Sequence, residues 1–303
     1  MEGEVECEEK LPLVSIAIIT YNQKEYLKEC IESVLAQDYE NIEIVVADDC
    51  STDGTQEMLK EYDKKYPNKF VLKLSNKNQG ITKNSNLAHF ACSGKYIAWM
   101  GGDDLMLPEK IRKQVEYMEK NQECTICYHN LDVFQSDTNE TLYYFNEKRK
   151  YEGDVYTSIK YGTFNGACST MIRTSKAPKN GFNETIPVAS DWLYWVETLH
   201  NGGTINYIDE VLGRYRRHNN NVTKETSSIT QNQIDHLNSC NIILSLYPEY
   251  SKAVFYRYSR ILFGLKHKLN YFDIVFKSFC ICPNIKSLAA ILIYVVTFGK
   301  VKK

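Results

Sequence analysis

The sequence lacks an excess of charge of either sign: 36 Lys and Arg against 38 Asp and Glu leave −2 over 303 residues. A chain that binds nucleic acid through overall basicity is excluded. No secretory leader is expected either, since the opening carries Glu2, Glu4, Glu6, Glu8 and Glu9 and no apolar stretch precedes Leu11. The ten cysteines are therefore read as reduced thiols of a cytoplasmic protein. Cys124 and Cys127 form one CxxC, but no second pair stands at zinc-ligand spacing. The apolar run at 287–298 (SLAAILIYVVTF) has only twelve residues, short of the ~20 that span a bilayer. No GxGxxG follows the first apolar strand and no GxxxxGK occurs, which counts against a dinucleotide dehydrogenase and a P-loop enzyme.

What is present describes a folded globule: 43% hydrophobic, 24% charged and 12% aromatic. Its charge is unevenly placed. From Lys252 onward there are ten Lys and Arg against one acid, Asp273, a local charge of +9 that leaves −11 on the first 251 residues. A basic end of this kind meets something anionic. With Lys286 before the short apolar run and Lys300, Lys302 and Lys303 after it, the end reads as an interfacial anchor for anionic lipid.

The first 125 residues alternate short β-type runs with helical ones, the pattern of an α/β domain on a largely parallel sheet. Residues 14–20 (VSIAIIT) are nearly all apolar and β-branched, as in a strand covered on both faces. Asn22, with Glu25 three residues on, is expected to cap the helix that follows. Three strands then end in polar clusters: Thr20-Tyr21-Asn22, Asp48-Asp49 and Asp103-Asp104. Ligands of open α/β sheets sit beyond the carboxyl ends of the strands, so these clusters should meet in one crevice. Adjacent carboxylates there suit a hard divalent ion bridging a diphosphate. From 137 to 218 shorter strands and irregular segments are expected, broken by a helix at 191–200 (DWLYWVETLH). Asp191 opens that helix, where the dipole favours its ionised form. His218 ends the cationic run Arg214-Tyr215-Arg216-Arg217. From about 225 the pattern is helical.

Taken together these residues resemble the family 2 glycosyltransferases of the GT-A fold. The likeness runs from VSIAIITYNQKEYLKECIESVLAQDYENIEIVVADDCSTDGT through Asn78-Gln79-Gly80-Ile81 to Gly101-Gly102-Asp103-Asp104, and covers roughly residues 12–220. It implies a mostly parallel sheet with helices on both faces and a helical C-terminal extension. The implied divisions are an acidic tail at 1–11, a transferase domain at 12–222 (donor half 12–125, acceptor half 126–222) and a helical region at 223–303.

By the resemblance, Thr20, Tyr21, Asn22, Asp48, Asp49, Lys83, Asn86, Asp103 and Asp104 line the nucleotide-sugar site. Asp103 and His218 would hold Mn²⁺ or Mg²⁺, and Asp191 would be the general base. Gly101 stands where the family's first metal-motif Asp is usual, and Ser85 where many relatives have Arg, for which Lys83 would substitute. The implied activity is inverting transfer from a nucleotide-sugar, with UDP the expected nucleotide, to a glycan or lipid-linked acceptor of a bacterial surface polysaccharide such as O-antigen or capsule. Its expected place is the inner face of the cytoplasmic membrane. A family member without catalysis, serving as a nucleotide-sugar-binding scaffold, is the alternative that Gly101 and Ser85 suggest. A nucleotidyltransferase is disfavoured because no basic glycine-rich loop occurs near the amino terminus.

Overall fold

The computed structural model describes residues 11–218, 221 and 227–302. The acidic opening and the junction after His218 lie outside them. In chain order the elements are β1 (Val14–Thr20), α1 (Lys24–Leu35), β2 (Ile42–Asp48), α2 (Thr55–Lys65), β3 (Phe70–Leu74), α3 (Ile81–His89), β4 (Tyr96–Gly101) and β5 (Leu105–Met106). There follow α4 (Lys110–Lys120), β6 (Cys124–Gln135), β7 (Thr141–Tyr144), α5 (Val155–Tyr161), β8 (Met171–Arg173), α6 (Asp191–His200) and β9 (Thr204–Arg217). Four helices close the chain: α7 (Gln231–Leu246), α8 (Ser251–Gly264), α9 (Tyr271–Ile281) and α10 (Ile285–Val296).

One sheet runs in the order β3-β2-β1-β4-β8-β6-β9-β5, with β7 on β6. Its first four strands are parallel, as are β6 and β9; β5, β7 and β8 pair antiparallel. The period-2 rule explains why helices cover both faces. Val14, Ile16 and Ile18 of β1 join one core with Ile44 and Val46, Tyr96 and Ala98, packed by Leu27, Ile31 and Val34 of α1 and Ile111 and Val115 of α4. The intervening Ala17, Val45, Ala47, Ile97 and Trp99 enter a second core with Ala88 of α3, the aromatic face of α6, and Cys240, Ile243, Ala253 and Val254 of the C-terminal helices. The α/β architecture with helices on both faces and a helical C-terminal region is thus the one expected.

Two local expectations change. Residues 137–218 hold not only short strands: β9 is 14 residues long and lies parallel to β6 over its length. Register breaks at His129/Asn130 and Asn130/Leu131, with exposed Asp209 and Glu210 inside β9, interrupt the alternation that would have marked it. Asn22 does not cap α1; the N-cap is Gln23, without a side-chain bond.

Candidate active site

Asn22 sits at φ 51, and its side chain instead ties the β1 turn to the loop after β2. Its Oδ1 accepts from Thr52 N at 2.8 Å, while its own N–H donates to Ser51 Oγ at 2.7 Å. The expected convergence of strand ends follows from the register, which sets Thr20 beside Asp48 and Ile19 beside Gly101. A Cβ on Gly102 would lie 2.9 Å from Thr20 Oγ1 and 3.2 Å from Ile19 O, so glycine is what lets the ends of β1 and β4 close. Among the described residues the buried Thr20 hydroxyl has no hydrogen-bond partner, and Tyr21 beside it is exposed.

Asp48 and Asp49 are both buried and act on the backbone around them. Asp48 accepts from Ser51 N and Oγ and from Gln56 Nε2 at 2.7 Å, which holds the turn after β2. Asp49 takes Gln79 N at 2.7 Å on one oxygen and Gly80 N at 2.8 Å on the other, fixing the entry to α3. One residue no sequence pattern singled out, Asn84, bridges from α3 to Ala47 O at 2.9 Å beneath the crevice. Asn86 is spent on the loop of residues 182–184, accepting from Phe182 N at 2.7 Å and donating to Phe182 O and Glu184 Oε1. Lys83 is exposed and only 4.0 Å from Glu184, a weak surface pair.

Asp103 and His218, far apart in sequence, are brought together: Nε2 and Oδ2 are 2.9 Å apart, with the imidazole against Tyr26 at 4.9 Å. The Arg216 backbone N–H donates to Asp104 Oδ1 at 3.0 Å and its Nε to Asp103 O at 2.7 Å, which anchors the end of β9 over β4. Burial and the neighbouring Asp103 carboxylate push Asp104 well above the usual carboxylate range. Gly101 also gains a reason. A Cβ there would stand 2.8 Å from Asp103 Oδ1, so the Asp103 carboxylate occupies the space a side chain at 101 would need.

Asp103 and His218 bring one carboxylate oxygen and one imidazole nitrogen together, a pair that a divalent ion could accept. Among the described residues no group of three His, Cys, Asp or Glu is poised for a metal. An ion here would complete its shell with substrate phosphate and water, the habit of Mg²⁺ in phosphate chemistry.

Asp191 is the first residue of α6. Its Oδ1 accepts the Trp192 N–H at 2.8 Å, and burial pushes its carboxyl above the ordinary value against the pull of that bond. Ser190 does not cap the helix; its hydroxyl meets Thr82 Oγ1 at 2.9 Å, and Thr82 Oγ1 also donates to Ile186 O at 2.6 Å. A chain of contacts therefore joins Asp49, the α3 entry, Thr82 and Ser190 to Asp191. Thr82 and Asn84 escaped sequence reasoning because their partners lie 37 to 108 positions away.

Comparison with known proteins agrees with this architecture. The candidate teichuronic acid biosynthesis glycosyltransferase TuaG of Bacillus subtilis is 28% identical over 212 residues, 70% of this chain and 82% of TuaG. The fold matches TarS 1–349 of S. aureus in complex with UDP-GlcNAc at a TM-score of 0.70 and 16% identity, over 95% of this chain and 88% of that one. It also matches the mannosyltransferase PcManGT of Pyrobaculum calidifontis, in complex with GDP-Man and Mn²⁺, at a TM-score of 0.64 and 14% identity, over 96% and 81% of the two chains. The glycosyl transferase family 2 model matches residues 15–177, more than half of the chain, and the protein belongs to that family.

Proposed function

We propose that this glycosyltransferase inverts the sugar it transfers, taking it from a UDP-sugar to a glycan or lipid-linked acceptor of a bacterial surface polysaccharide. The observation that carries the reading is Asp191, desolvated at a helix start and tied through Ser190 and Thr82 to the strand-end crevice. Asp191 Oδ2 accepts no hydrogen bond among the described residues. As the acceptor hydroxyl oxygen bonds to the anomeric carbon, its proton passes to Asp191 Oδ2. The bond from the same carbon to the nucleoside diphosphate breaks, and its electron pair leaves on the diphosphate. No covalent enzyme intermediate is required. Asp103 and His218 would hold Mn²⁺ or Mg²⁺, which when bound supplies Lewis-acid stabilisation of the leaving charge. Thr20, Tyr21, Asn22, Asp48, Asp49, Lys83, Asn86 and Asp104 belong to the donor site on this reading, within a transferase unit at 12–222 ahead of the helical region.

Support for the donor class comes from the folds that match, one bound to UDP-GlcNAc and one to GDP-Man with Mn²⁺; for the polysaccharide role, from the likeness to TuaG. Titration calorimetry with UDP, GDP, dTDP and CDP, each with and without Mn²⁺, is expected to give Mn²⁺-dependent binding of UDP. Asp103→Ala should weaken it at least as much as loss of an outer-shell metal partner does, about 10- to 100-fold. Equal binding by the variant would remove the metal role. A donor panel of UDP-GlcNAc, UDP-glucose, UDP-galactose and GDP-mannose, with bacterial membrane lipid extract as acceptor, would then identify the sugar by nucleoside diphosphate release.

The membrane part of the proposal rests on α10. Among the described residues no helix is long and apolar enough to cross a membrane. α10 buries only Ser287 and Ala290, a narrow small-residue face, and leaves Ile285, Leu288, Leu292, Val295 and Val296 exposed, followed by Phe298 at 92%. Lys286, Lys300 and Lys302 flank that apolar surface. Such a helix lies in the headgroup region of an anionic bilayer. Sedimentation with phosphatidylglycerol vesicles is expected to carry the protein down, less so as salt rises. Leu292→Glu with Val296→Glu should leave it in the supernatant; unchanged sedimentation would remove the anchor.

A further inference from the structure

The loop before Asp191 is gripped from two sides. On one side stands Thr82 of α3. On the other is Asp235 of α7, fully buried and outside the segment matched by the family model. One Asp235 oxygen, Oδ2, accepts both the Val188 and the Ala189 N–H at 2.9 Å, while Oδ1 accepts Gln231 Nε2 at 2.7 Å. The next residues along the C-terminal helices brace the other flank of the same corner. The His236 ring meets Trp192 edge-on at 5.7 Å, and the Arg257 guanidinium of α8 lies 5.2 Å from the Trp192 ring. The Trp192 indole N–H is held by Ser158 O at 3.1 Å. Asp191 thus sits between a clamped loop and a clamped tryptophan, and most of the clamp comes from the C-terminal helices.

We infer that Asp235 is a positioning residue for Asp191, so that α7 sets where the proposed base points. The inference rests on the reading of Asp191 as base. Two backbone N–H groups converging on one buried carboxylate oxygen fix the height of residues 188–189 and hence the start of α6. A displacement of about 1 Å at a reacting group costs on the order of 10²-fold in rate, so a clamp of this kind acts on turnover while leaving the donor pocket intact.

The test compares two variants that both keep an acceptor at position 235. Asp235→Asn preserves the length of the clamp and is expected to hold kcat within about threefold. Asp235→Glu adds one methylene, pushes the loop outward, and is expected to lower kcat at least tenfold, with donor KM and calorimetric UDP affinity within about threefold of wild type. The fall should vanish in an Asp191→Asn background, because a misplaced base that is already absent costs nothing more. Asp235→Glu with kcat near wild type overturns the inference, as does a loss of UDP binding that parallels the loss of turnover, which marks a merely structural role. Turnover that survives in Asp191→Asn alone would sink the base reading itself, whereas an inactive Asp191→Asn beside an active Asp235→Glu would sink only the positioning.

Discussion

Asp191→Asn is expected to lower kcat by about 10²- to 10⁴-fold, the range that general-base catalysis contributes, while UDP affinity stays within about threefold. The amide keeps the bond from the Trp192 N–H through its oxygen, so the helix start and the Ser190–Thr82 contact survive and the loss reports chemistry. The pH profile carries the same information with a definite sign. A base works only when deprotonated, and burial raises the Asp191 carboxyl above the ordinary aspartate range. The acid limb of kcat/KM therefore falls away at a higher pH than an exposed aspartate would give, and it should be missing from the residual activity of Asp191→Asn. An acid limb that persists unchanged in the variant would assign the titration to another group. Full activity in the variant would remove Asp191 as the base, whereas no turnover of any donor by the unaltered protein would revive the scaffold alternative.

Lys110→Met is expected to stabilise the fold by about 3 kcal/mol at pH 7, from a pKa shift of roughly 2.5 units at about 1.4 kcal/mol each. Lys110 is wholly buried, its amine reaches no hydrogen-bond partner among the described residues, and burial pulls its pKa down from 10.5 to about 8, with Cys168, Cys127 and Cys30 partly opposing. It also opens α4, where the helix dipole disfavours a cation. Methionine keeps the unbranched stem and fills the same space without the charge.

The sign of the pH dependence follows from linkage. Below pH 8 the lysine is charged in both folded and unfolded chains, and folding bears the full cost of burying it. Between pH 8 and 10.5 the folded chain has released the proton and the unfolded one still holds it, so the cost shrinks as pH rises. The advantage of the variant over wild type, measured by urea unfolding at a series of pH values, should therefore be largest at neutral pH and decline across that window. A constant difference, or a destabilised variant at pH 7, would contradict the account.

Strands β1, β2 and β4 were legible because each is almost wholly buried and reads as a mostly apolar run, and α6 because its aromatic stripe follows a helical period. The strand-end acids were legible as a cluster, since topology alone sends them to one crevice. Their partners were not. The nearest bonds of Asp48 and Asp49 go to backbone and neighbouring side chains that shape the loops, a distribution that composition at a strand end does not disclose. Asn22 has the residue type of a helix cap, yet a positive φ turns it toward Thr52 instead. The reach of Asp235 to a loop 46 positions away has no local signature, because a buried acid within a helical pattern looks like any polar position until the partner helix is placed. β9 was hidden for the opposite reason: its register breaks erase the local signature that does exist.

The grip of Asp49 on the start of α3 has an electrostatic consequence. A helix opening toward a crevice ordinarily offers its free N–H groups and partial positive charge to phosphate. Here the N–H groups of Gln79 and Gly80, which lead into the helix, are already taken by the Asp49 carboxylate, so part of that end's attraction is spent from within. The crevice has less built-in attraction for an anion, and on the proposed reading neutralising a diphosphate would fall more heavily on cations that arrive from solution or from β9. On the proposed reading, donor affinity would follow the supply of divalent ions in the surrounding medium.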